Sequence, residues 1–180
     1  GVLYGLSNLG NLYMINTDTG VATGRLALTA DPADTTAPFA GLSAGAAFAM
    51  DFNPSADLLR VISSTNGESL RINVDTGVTI TDGAINGITG AVISAAAYTN
   101  SFQRPERGST GLFDLDQISN QLVQQNAATG VITPIGTGLG TALTLGASNG
   151  MDIAGGDNGL VLVASGNSLY RVDLNTGIAR

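Results

Sequence analysis

Leu12-Tyr-Met-Ile-Asn-Thr-Asp-Thr-Gly20 is the stretch of sequence that decides the fold, because the chain repeats it three more times. The other copies keep an apolar first half and a Thr-Gly end: Ser69-Leu-Arg-Ile-Asn-Val-Asp-Thr-Gly77, Leu122-Val-Gln-Gln-Asn-Ala-Ala-Thr-Gly130 and Leu169-Tyr-Arg-Val-Asp-Leu-Asn-Thr-Gly177. From Gly20 to Gly77 is 57 residues, from Gly77 to Gly130 is 53, and from Gly130 to Gly177 is 47. These intervals are close to the ~40–50 residues of one β-propeller blade. The repeat therefore predicts four similar β units.

Each nonapeptide predicts a strand followed by a tight turn. In the first copy Tyr13 and Ile15 give the period of two that buries one face of a strand. The side chain of Asn16 can accept a hydrogen bond from the backbone two residues on, and Gly20 adopts a positive φ without a steric clash. A short strand after the Thr-Gly pair, such as Val21-Ala-Thr, then runs back antiparallel.

Two further strands precede most copies of the nonapeptide and complete a unit of strands A, B, C and D, in which the nonapeptide is C. The predicted A strands are Ala47–Asn53, Ser94–Asn100 and Ser148–Ala154, and the predicted B strands are Val2–Ser7, Leu58–Ser63, Gly111–Asp116 and Gly159–Ser165. The first unit lacks A, and the last ends before D is complete. The expected fold is all-β, a β-propeller-like array of four antiparallel blade repeats that is incomplete or closed by shared terminal strands.

The chain is expected to form one domain, residues 1–180, with repeats at about 1–46, 47–93, 94–147 and 148–180. Two long segments have no strand pattern, Thr29 to Ala46 and Ser101 to Thr110. Such insertions are often functional in compact domains. The second concentrates Phe102, Arg104, Glu106 and Arg107, which makes it the candidate interaction loop.

The composition excludes several classes of function. The 180 residues include no Cys, His, Trp or Lys, and all seven basic residues are arginines. A thiolate nucleophile, a Ser-His-Asp triad, a histidine metal site and a Walker lysine are therefore excluded, which leaves carboxylate chemistry. A net charge of −7 argues against binding to nucleic acid phosphates. The longest apolar runs are too short to predict a membrane span.

The chain also resembles a known family. Met50-Asp-Phe-Asn-Pro54, Asp57-Leu-Leu-Arg-Val-Ile-Ser63, Ala95-Ala-Ala-Tyr-Thr-Asn100, Leu112-Phe-Asp-Leu-Asp116 and Gln121-Leu-Val-Gln-Gln-Asn126, together with the second nonapeptide, resemble the bacterial family called domain of unknown function 4394. The resemblance covers nearly the whole chain. It implies a β-propeller-like, exported protein without an established activity, and a further blade before the point where Gly1 stands. The family's Asp-Arg-Ile-Arg is Asp57-Leu-Leu-Arg60 here.

Three residues of the A strands, Asp51, Tyr98 and Asp152, are candidates for a ligand site in an axial channel, where propellers often bind ligands or ions. The alternative is that a buried Asp in a repeated position only accepts structural hydrogen bonds. Asp57 and Arg60 are expected to form a structural ion pair.

Asp114 and Asp116, which share one face of a strand, and Asp157, which follows two glycines, are weak candidates for a calcium site. No loop has the complete spacing of a calcium motif, so no cofactor is predicted, and calcium stays as the alternative. If no calcium binds, Asp114, Asp116 and Asp157 are expected to be ordinary turn aspartates.

The function predicted from the sequence is a non-catalytic extracellular structural or binding module. The alternative is an Asp-dependent or calcium-dependent hydrolase that acts on an extracellular substrate. Paired-carboxylate glycoside hydrolysis is disfavoured, because the only glutamates lie in loops and no Trp can form a sugar platform. The expected partners are a second copy through the terminal strands, another extracellular protein or a polysaccharide, but not nucleic acid.

Overall fold

A computed structural model describes residues 2–102, 109–146, 148–156 and 158–180. In these ranges all regular structure is β, as the sequence predicts, and no helix is present that could cross a membrane. The strands are β1 Leu3–Leu6, β2 Asn11–Ile15, β3 Ala22–Ala27, β4 Thr29–Ala30, β5 Phe48–Asn53, β6 Leu58–Ser63, β7 Ser69–Ile72, β8 Val78–Asp82, β9 Ile93–Tyr98, β10 Leu112–Asp116, β11 Gln121–Gln125, β12 Ile132–Pro134, β13 Asn149–Ile153, β14 Val161–Ser165 and β15 Ser168–Val172.

The strands form four small sheets, one for each predicted unit. Sheet I is β1-β2-β3, sheet II is β5-β6-β7-β8 with β4 beside β8, sheet III is β9-β10-β11-β12, and sheet IV is β13-β14-β15. Every pairing is antiparallel except that of β4 with β8. The missing strand A of sheet I and the incomplete strand D of sheet IV agree with the prediction, because sheet IV has only a bridge between Val172 and Ala179 in place of D.

The turn of the nonapeptide forms as its residues predict. In the first copy the amide groups of Asp18 and Thr19 both donate to Asn16 Oδ1 at 2.9 Å, and the Gly20 amide donates to the Asn16 carbonyl at 2.8 Å. The corresponding residues of the other copies, Asn73, Asn126 and Asp173, accept the same pair of side-chain bonds. Each turn reverses the chain into the next strand.

The segment Thr29 to Ala46 is not wholly irregular, because it begins with β4, which runs parallel to the start of β8. A similar parallel bridge joins Asn86 to Val131 at the start of sheet III's last strand. The chain that leaves one sheet therefore runs along the outer strand of the next sheet before it turns inward. This connection was not predicted from the sequence, because a two-residue pairing leaves no periodic signal.

Apolar side chains fill the spaces between successive sheets. Leu12 of sheet I packs with Leu59, Val61, Leu70 and Ile72 of sheet II. Sheets II and III share a second cluster, which includes Ala49, Ile62, Tyr98, Leu112 and Val123, and sheets III and IV share a third, which includes Leu115, Leu122, Val161 and Val163. In the described ranges no strand pairs sheet I with sheet IV, so closure by shared terminal strands is not found, and the array is open.

Candidate functional site

A buried arginine lies between sheets II and III. Arg60, on β6, is 1% exposed, and its Nη1 donates to Asp82 Oδ2 at 2.7 Å and to Ser69 Oγ at 2.9 Å. Its Nε donates to the hydroxyl of Tyr98, on β9 of the neighbouring sheet, at 3.2 Å. The guanidinium therefore adds one charged group to the apolar cluster that sheets II and III share.

Asp82 holds a second arginine beside the first. Arg71 donates from Nε and Nη2 to the two oxygens of Asp82 at 2.7 and 2.8 Å, a two-pronged contact. This hydrogen bond raises the pKa of Arg71 above its usual value. Asp82, at the end of β8, is thus the carboxylate that pairs with both guanidiniums, and the buried Arg60 needs such a partner because its surroundings exclude water.

Asp114 is the unusual member of this interface. It lies on β10 on the face directed at sheet II, is 0% exposed, and neither carboxylate oxygen has a hydrogen-bond partner. Burial raises its pKa well above the usual value, and the nearby Arg60 only partly opposes that shift. A carboxyl group in such surroundings is stable in its neutral, protonated form.

Two of the axial candidates come together, and the third lies close by. Asp51 Oδ2 accepts a hydrogen bond from the Tyr98 amide at 2.6 Å, which joins β5 to β9. Burial raises the pKa of Asp51 to about 6; hydrogen bonds from the Tyr98 and Phe52 amides oppose this, and the charge of Asp152 adds to it. Asp152, on β13, is itself exposed.

The strand registers correct the sequence alignment at Tyr98. Asp51 lies opposite Arg60, which lies opposite Arg71, and Asp152 lies in the same way opposite Leu162 and Arg171. In sheet III the residue in the position of Asp51 is Ala97, and Tyr98 is the next residue along β9. The Tyr98 side chain therefore points toward sheet II and Arg60. The sequence missed this offset, because Ala95, Ala96 and Ala97 give no marker of register.

A cleft of about 750 Å³ passes over one end of sheet III. Tyr98, Leu112 and Gln125 line it from the side that faces sheet II, whereas Gln124 and Thr133 line it from the other side. Thr110 joins its rim to sheet II through a hydrogen bond to Asn53 at 3.4 Å. Tyr98 belongs both to this wall and to the Arg60 cluster, so the buried network positions part of the cleft.

The metal candidates do not form a common site. Asp114 and Asp116 share a face of β10 as predicted, but Asp116 is occupied with its own turn, where it accepts bonds from the amides of Val92 and Ile118 and the hydroxyl of Ser119. Asp157 lies outside the described residues. Among those that are described, no three acidic, His or Cys side chains are grouped in a way that could hold a metal ion.

Most of the predicted interaction loop, including Arg104, Glu106 and Arg107, lies outside the described residues. Phe102, at its start, is 47% exposed. The expected ion pair of Asp57 with Arg60 is wrong, because Asp57 occupies the turn after β5 with a φ of 54° while Arg60 pairs with Asp82. Spacing along the sequence favoured Asp57, which is nearer to Arg60 in the chain. In the folded sheet Arg60 instead pairs with Asp82, which lies two strands away.

Asp82, Ser69 and Gln125 are members of the interface that the sequence analysis did not single out. Gln125 is 4% exposed, its Nε2 lies 3.5 Å from Ser69 Oγ, and its Oε1 has no hydrogen-bond partner. One signal was available in the third nonapeptide, where Gln125 occupies the position of the buried Ile72. A polar side chain in a repeated core position indicates a local polar interface.

Comparison with solved structures shows the same fold in two larger proteins. Virginiamycin B lyase from Staphylococcus aureus matches 100% of this chain over 51% of its own, with a TM-score of 0.54 and 15% identity. An auxiliary nutrient binding protein from Bacteroides thetaiotaomicron matches 91% of this chain over 42% of its own, with a TM-score of 0.53 and 14% identity. The chain thus spans about half the length of each. A comparison with curated proteins finds no match.

The family comparison agrees with the resemblance seen in the sequence. The model of the family described as domain of unknown function, DUF4394, matches residues 1–180. Because the match extends over the whole chain, this protein belongs to the DUF4394 family.

Proposed function

We propose that the four sheets are blades of a β-propeller-like array, and that the chain is a non-catalytic extracellular binding module. The observation that supports binding most directly is the cleft over sheet III, whose volume of about 750 Å³ lies within the ~300–1,000 Å³ of ligand pockets. Its wall includes Tyr98, which the buried Arg60 holds in place. A wall fixed in advance lowers the entropy cost of binding.

The non-catalytic part of the proposal rests on composition and on the cleft itself. A chain without Cys, His or Lys lacks thiol and amine nucleophiles and the imidazole base that activates a serine. The side chains that line the cleft are amides, hydroxyls and apolar groups, none of which is an acid or base near neutral pH. Such a surface suits recognition by hydrogen bonds rather than proton transfer.

A thermal-unfolding screen tests the binding function. Soluble ligands of several classes are added to the wild type, to Gln124→Leu in the cleft and to Gln121→Leu, the matched control on the same strand outside the cleft. A ligand at 100 times its Kd stabilises the native state by about 2.7 kcal/mol. We expect a hit that raises the Tm of the wild type and of Gln121→Leu more than that of Gln124→Leu. Equal shifts in all three proteins would remove the cleft from consideration.

An Asp-dependent hydrolase is the second candidate, favoured by one observation. The pKa of Asp51, raised to about 6, is suited to general acid catalysis near neutral pH, and a second carboxylate, Asp152, lies close enough to affect it. Glycosidase and esterase substrates, assayed with and without calcium, test this function. Turnover that Asp51→Asn abolishes and Asp18→Asn retains would replace the binding module by the hydrolase.

Extracellular localisation and self-association complete the proposal. Export is tested by immunodetection of the native protein in culture supernatant, the cell surface and the cytoplasm, and a purely cytoplasmic signal would contradict it.

Self-association is proposed through β1, which pairs with β2 on one side and carries the exposed side chain of Leu3. An accessible strand edge favours pairing with another chain.

A further inference from the structure

We infer that the cleft over sheet III binds a neutral oligosaccharide chain. This inference rests on the proposed binding function and names the class of ligand for the same site. The ligand class follows from the charge, the hydrogen-bonding groups and the extent of the cleft wall.

The charge of the wall excludes ionic ligands. None of the residues that line the cleft carries a formal charge at neutral pH. Among the described residues, the guanidinium that contacts a lining residue is that of Arg60, which is buried and bound to Asp82, Ser69 and the Tyr98 hydroxyl. Among the described lining residues an anion would find no positive group, and it would meet a net charge of −7, whereas a cation would find no carboxylate there.

The hydrogen-bonding groups of the wall match hydroxyl groups. Eight lining residues are amides or hydroxyls: Asn53, Tyr98, Thr110, Gln124, Gln125, Asn126, Thr129 and Thr133. Amides and hydroxyls both donate and accept, as sugar hydroxyls do, although Asn53 Oδ1, Asn126 Oδ1 and the Tyr98 hydroxyl already accept bonds within the protein. The remaining side chains, such as Leu112 and Val131, offer apolar surface for the C–H groups of a sugar ring.

Gln125 gives the cleft an unused acceptor. Its Oε1 is buried without a partner, a condition that costs about 1–3 kcal/mol. Gln125 is one of the lining residues, and the terminal torsion of a glutamine is soft, so its amide can reorient toward a ligand in the cleft. A hydroxyl of the ligand would supply the missing donor and recover part of that free energy.

The extent of the wall indicates a chain rather than a single sugar. The lining residues belong to β10, β11 and β12, to the ends of β5 and β9, and to the connections before β10 and between β11 and β12. Strands in a sheet lie about 4.8 Å apart, so the path from β9 to β12 is about 14 Å long. This length accommodates several sugar units end to end.

Calorimetric titration with a panel of probes tests the inference. The panel contains the hexasaccharides of cellulose, xylan, mannan and starch, a polygalacturonate fragment as an anionic counterpart, and a neutral Ser/Thr/Gly peptide. We expect at least one neutral hexasaccharide to bind and the polygalacturonate fragment not to bind. Gln124→Leu and Thr133→Val, both at exposed positions of the cleft, should weaken binding about five- to tenfold, since each removes a hydrogen bond.

The matched controls make the same substitutions elsewhere. Gln121→Leu lies on β11 outside the cleft, and Thr23→Val lies at an exposed position of the outer strand of sheet I. Both should bind as the wild type does. Circular dichroism verifies the fold of all four variants, and Gln125→Leu is added to test the unused acceptor.

The possible outcomes separate this inference from the proposed function. If only the peptide or the anionic polymer binds, and the cleft variants weaken that binding, the binding module stands and the oligosaccharide is wrong. If a saccharide binds equally well to all variants, both the cleft and the inference are wrong. If no probe in the panel binds, the oligosaccharide inference fails, while the broader screen still decides the binding function.

Discussion

The glycine at the end of the nonapeptide is expected to have different importance in different copies, and two Gly→Ala variants test this. Gly20 and Gly130 have nearly the same positive φ, 70° and 72°. A Cβ on Gly20 would meet nothing within 4 Å, whereas a Cβ on Gly130 would collide with the carbonyl oxygens of Gly83 and Ala84 in the incoming connection. The two positions therefore share the conformational cost of alanine and differ in the collision.

The expected magnitudes follow from this difference. An alanine in the left-handed region costs about 1–2 kcal/mol, which is the whole effect expected for Gly20→Ala. The collision at Gly130 adds about 1–3 kcal/mol for displaced backbone, so Gly130→Ala should lose about 2–5 kcal/mol. It should also weaken the bond from the Asn86 amide to the Gly130 carbonyl, 2.9 Å long, which attaches the connection to sheet III.

Equilibrium urea unfolding, followed by circular dichroism, measures both free energies. The slope m should stay that of the wild type, so that the midpoint shift reports stability alone. Gly77→Ala, whose Cβ would collide with the carbonyl oxygen of Ala27, should behave as Gly130→Ala does. Equal losses for Gly20→Ala and Gly130→Ala, within about 0.5 kcal/mol, would refute the close approach of the connection to the turn.

Four other substitutions or deletions probe the interface and the edge of the array. Between pH 4 and 6 the stability of the wild type relative to Asp51→Asn should fall by at most about 3 kcal/mol, because the carboxyl ionises at a lower pH in the unfolded state than in the folded state. Urea unfolding across this pH range measures the difference in stability between the two proteins. A difference that does not change with pH would contradict the burial of Asp51. Asp82→Asn should lower the free energy of unfolding, measured in urea, by about 3–5 kcal/mol, because Arg60 stays buried without a counter-charge. The control Asp75→Asn, in an exposed turn, should lower it by less than about 0.5 kcal/mol. Similar losses for both variants would mean that the ion pairs contribute nothing to stability. Relative to Asp114→Asn, the wild type should lose stability as the pH rises above about 4, because the carboxyl then ionises in the unfolded state while burial keeps it protonated in the folded state; urea unfolding measures this, and a stability difference that does not change with pH would contradict the raised pKa of Asp114. Light scattering should show less self-association after deletion of residues 2–7, and unchanged monomers before and after the deletion would contradict pairing through β1.

The strands and turns could be predicted from the sequence because their causes are local. Val78 and Thr79 follow the second Thr-Gly pair directly, and the turn that joins them to Ile72 needs only the Asn73 side chain and the positive φ of Gly77. All the information for that hairpin lies within ten neighbouring residues. The same reasoning placed the four B strands and the three A strands to within about two residues.

The candidate site could be predicted only in part, because its contacts are long-range. The sequence put Asp51 and Tyr98 on neighbouring inner strands, and the two residues do meet, but through the Tyr98 amide rather than its side chain. The partner of Arg60 was missed, since the choice between Asp57 and Asp82 depends on strand register and not on distance along the chain. The cleft was not predicted, because its lining comes from four segments that are adjacent only after folding.

Tyr98 belongs both to the interface of sheets II and III and to the cleft wall, so other residues are needed to test binding separately from stability. Its hydroxyl is bound by Arg60, which forms a buried ion pair with Asp82, so any substitution in this chain of contacts alters both the sheet interface and the cleft wall. Buried ion pairs of this kind contribute little net stability but penalise the loss of one partner strongly. Gln124 and Thr133 have exposed side chains and face each other across β11 and β12, so their loss leaves the interface intact. A binding defect in those two variants, with unchanged unfolding, is therefore the measurement that assigns the cleft a function of its own.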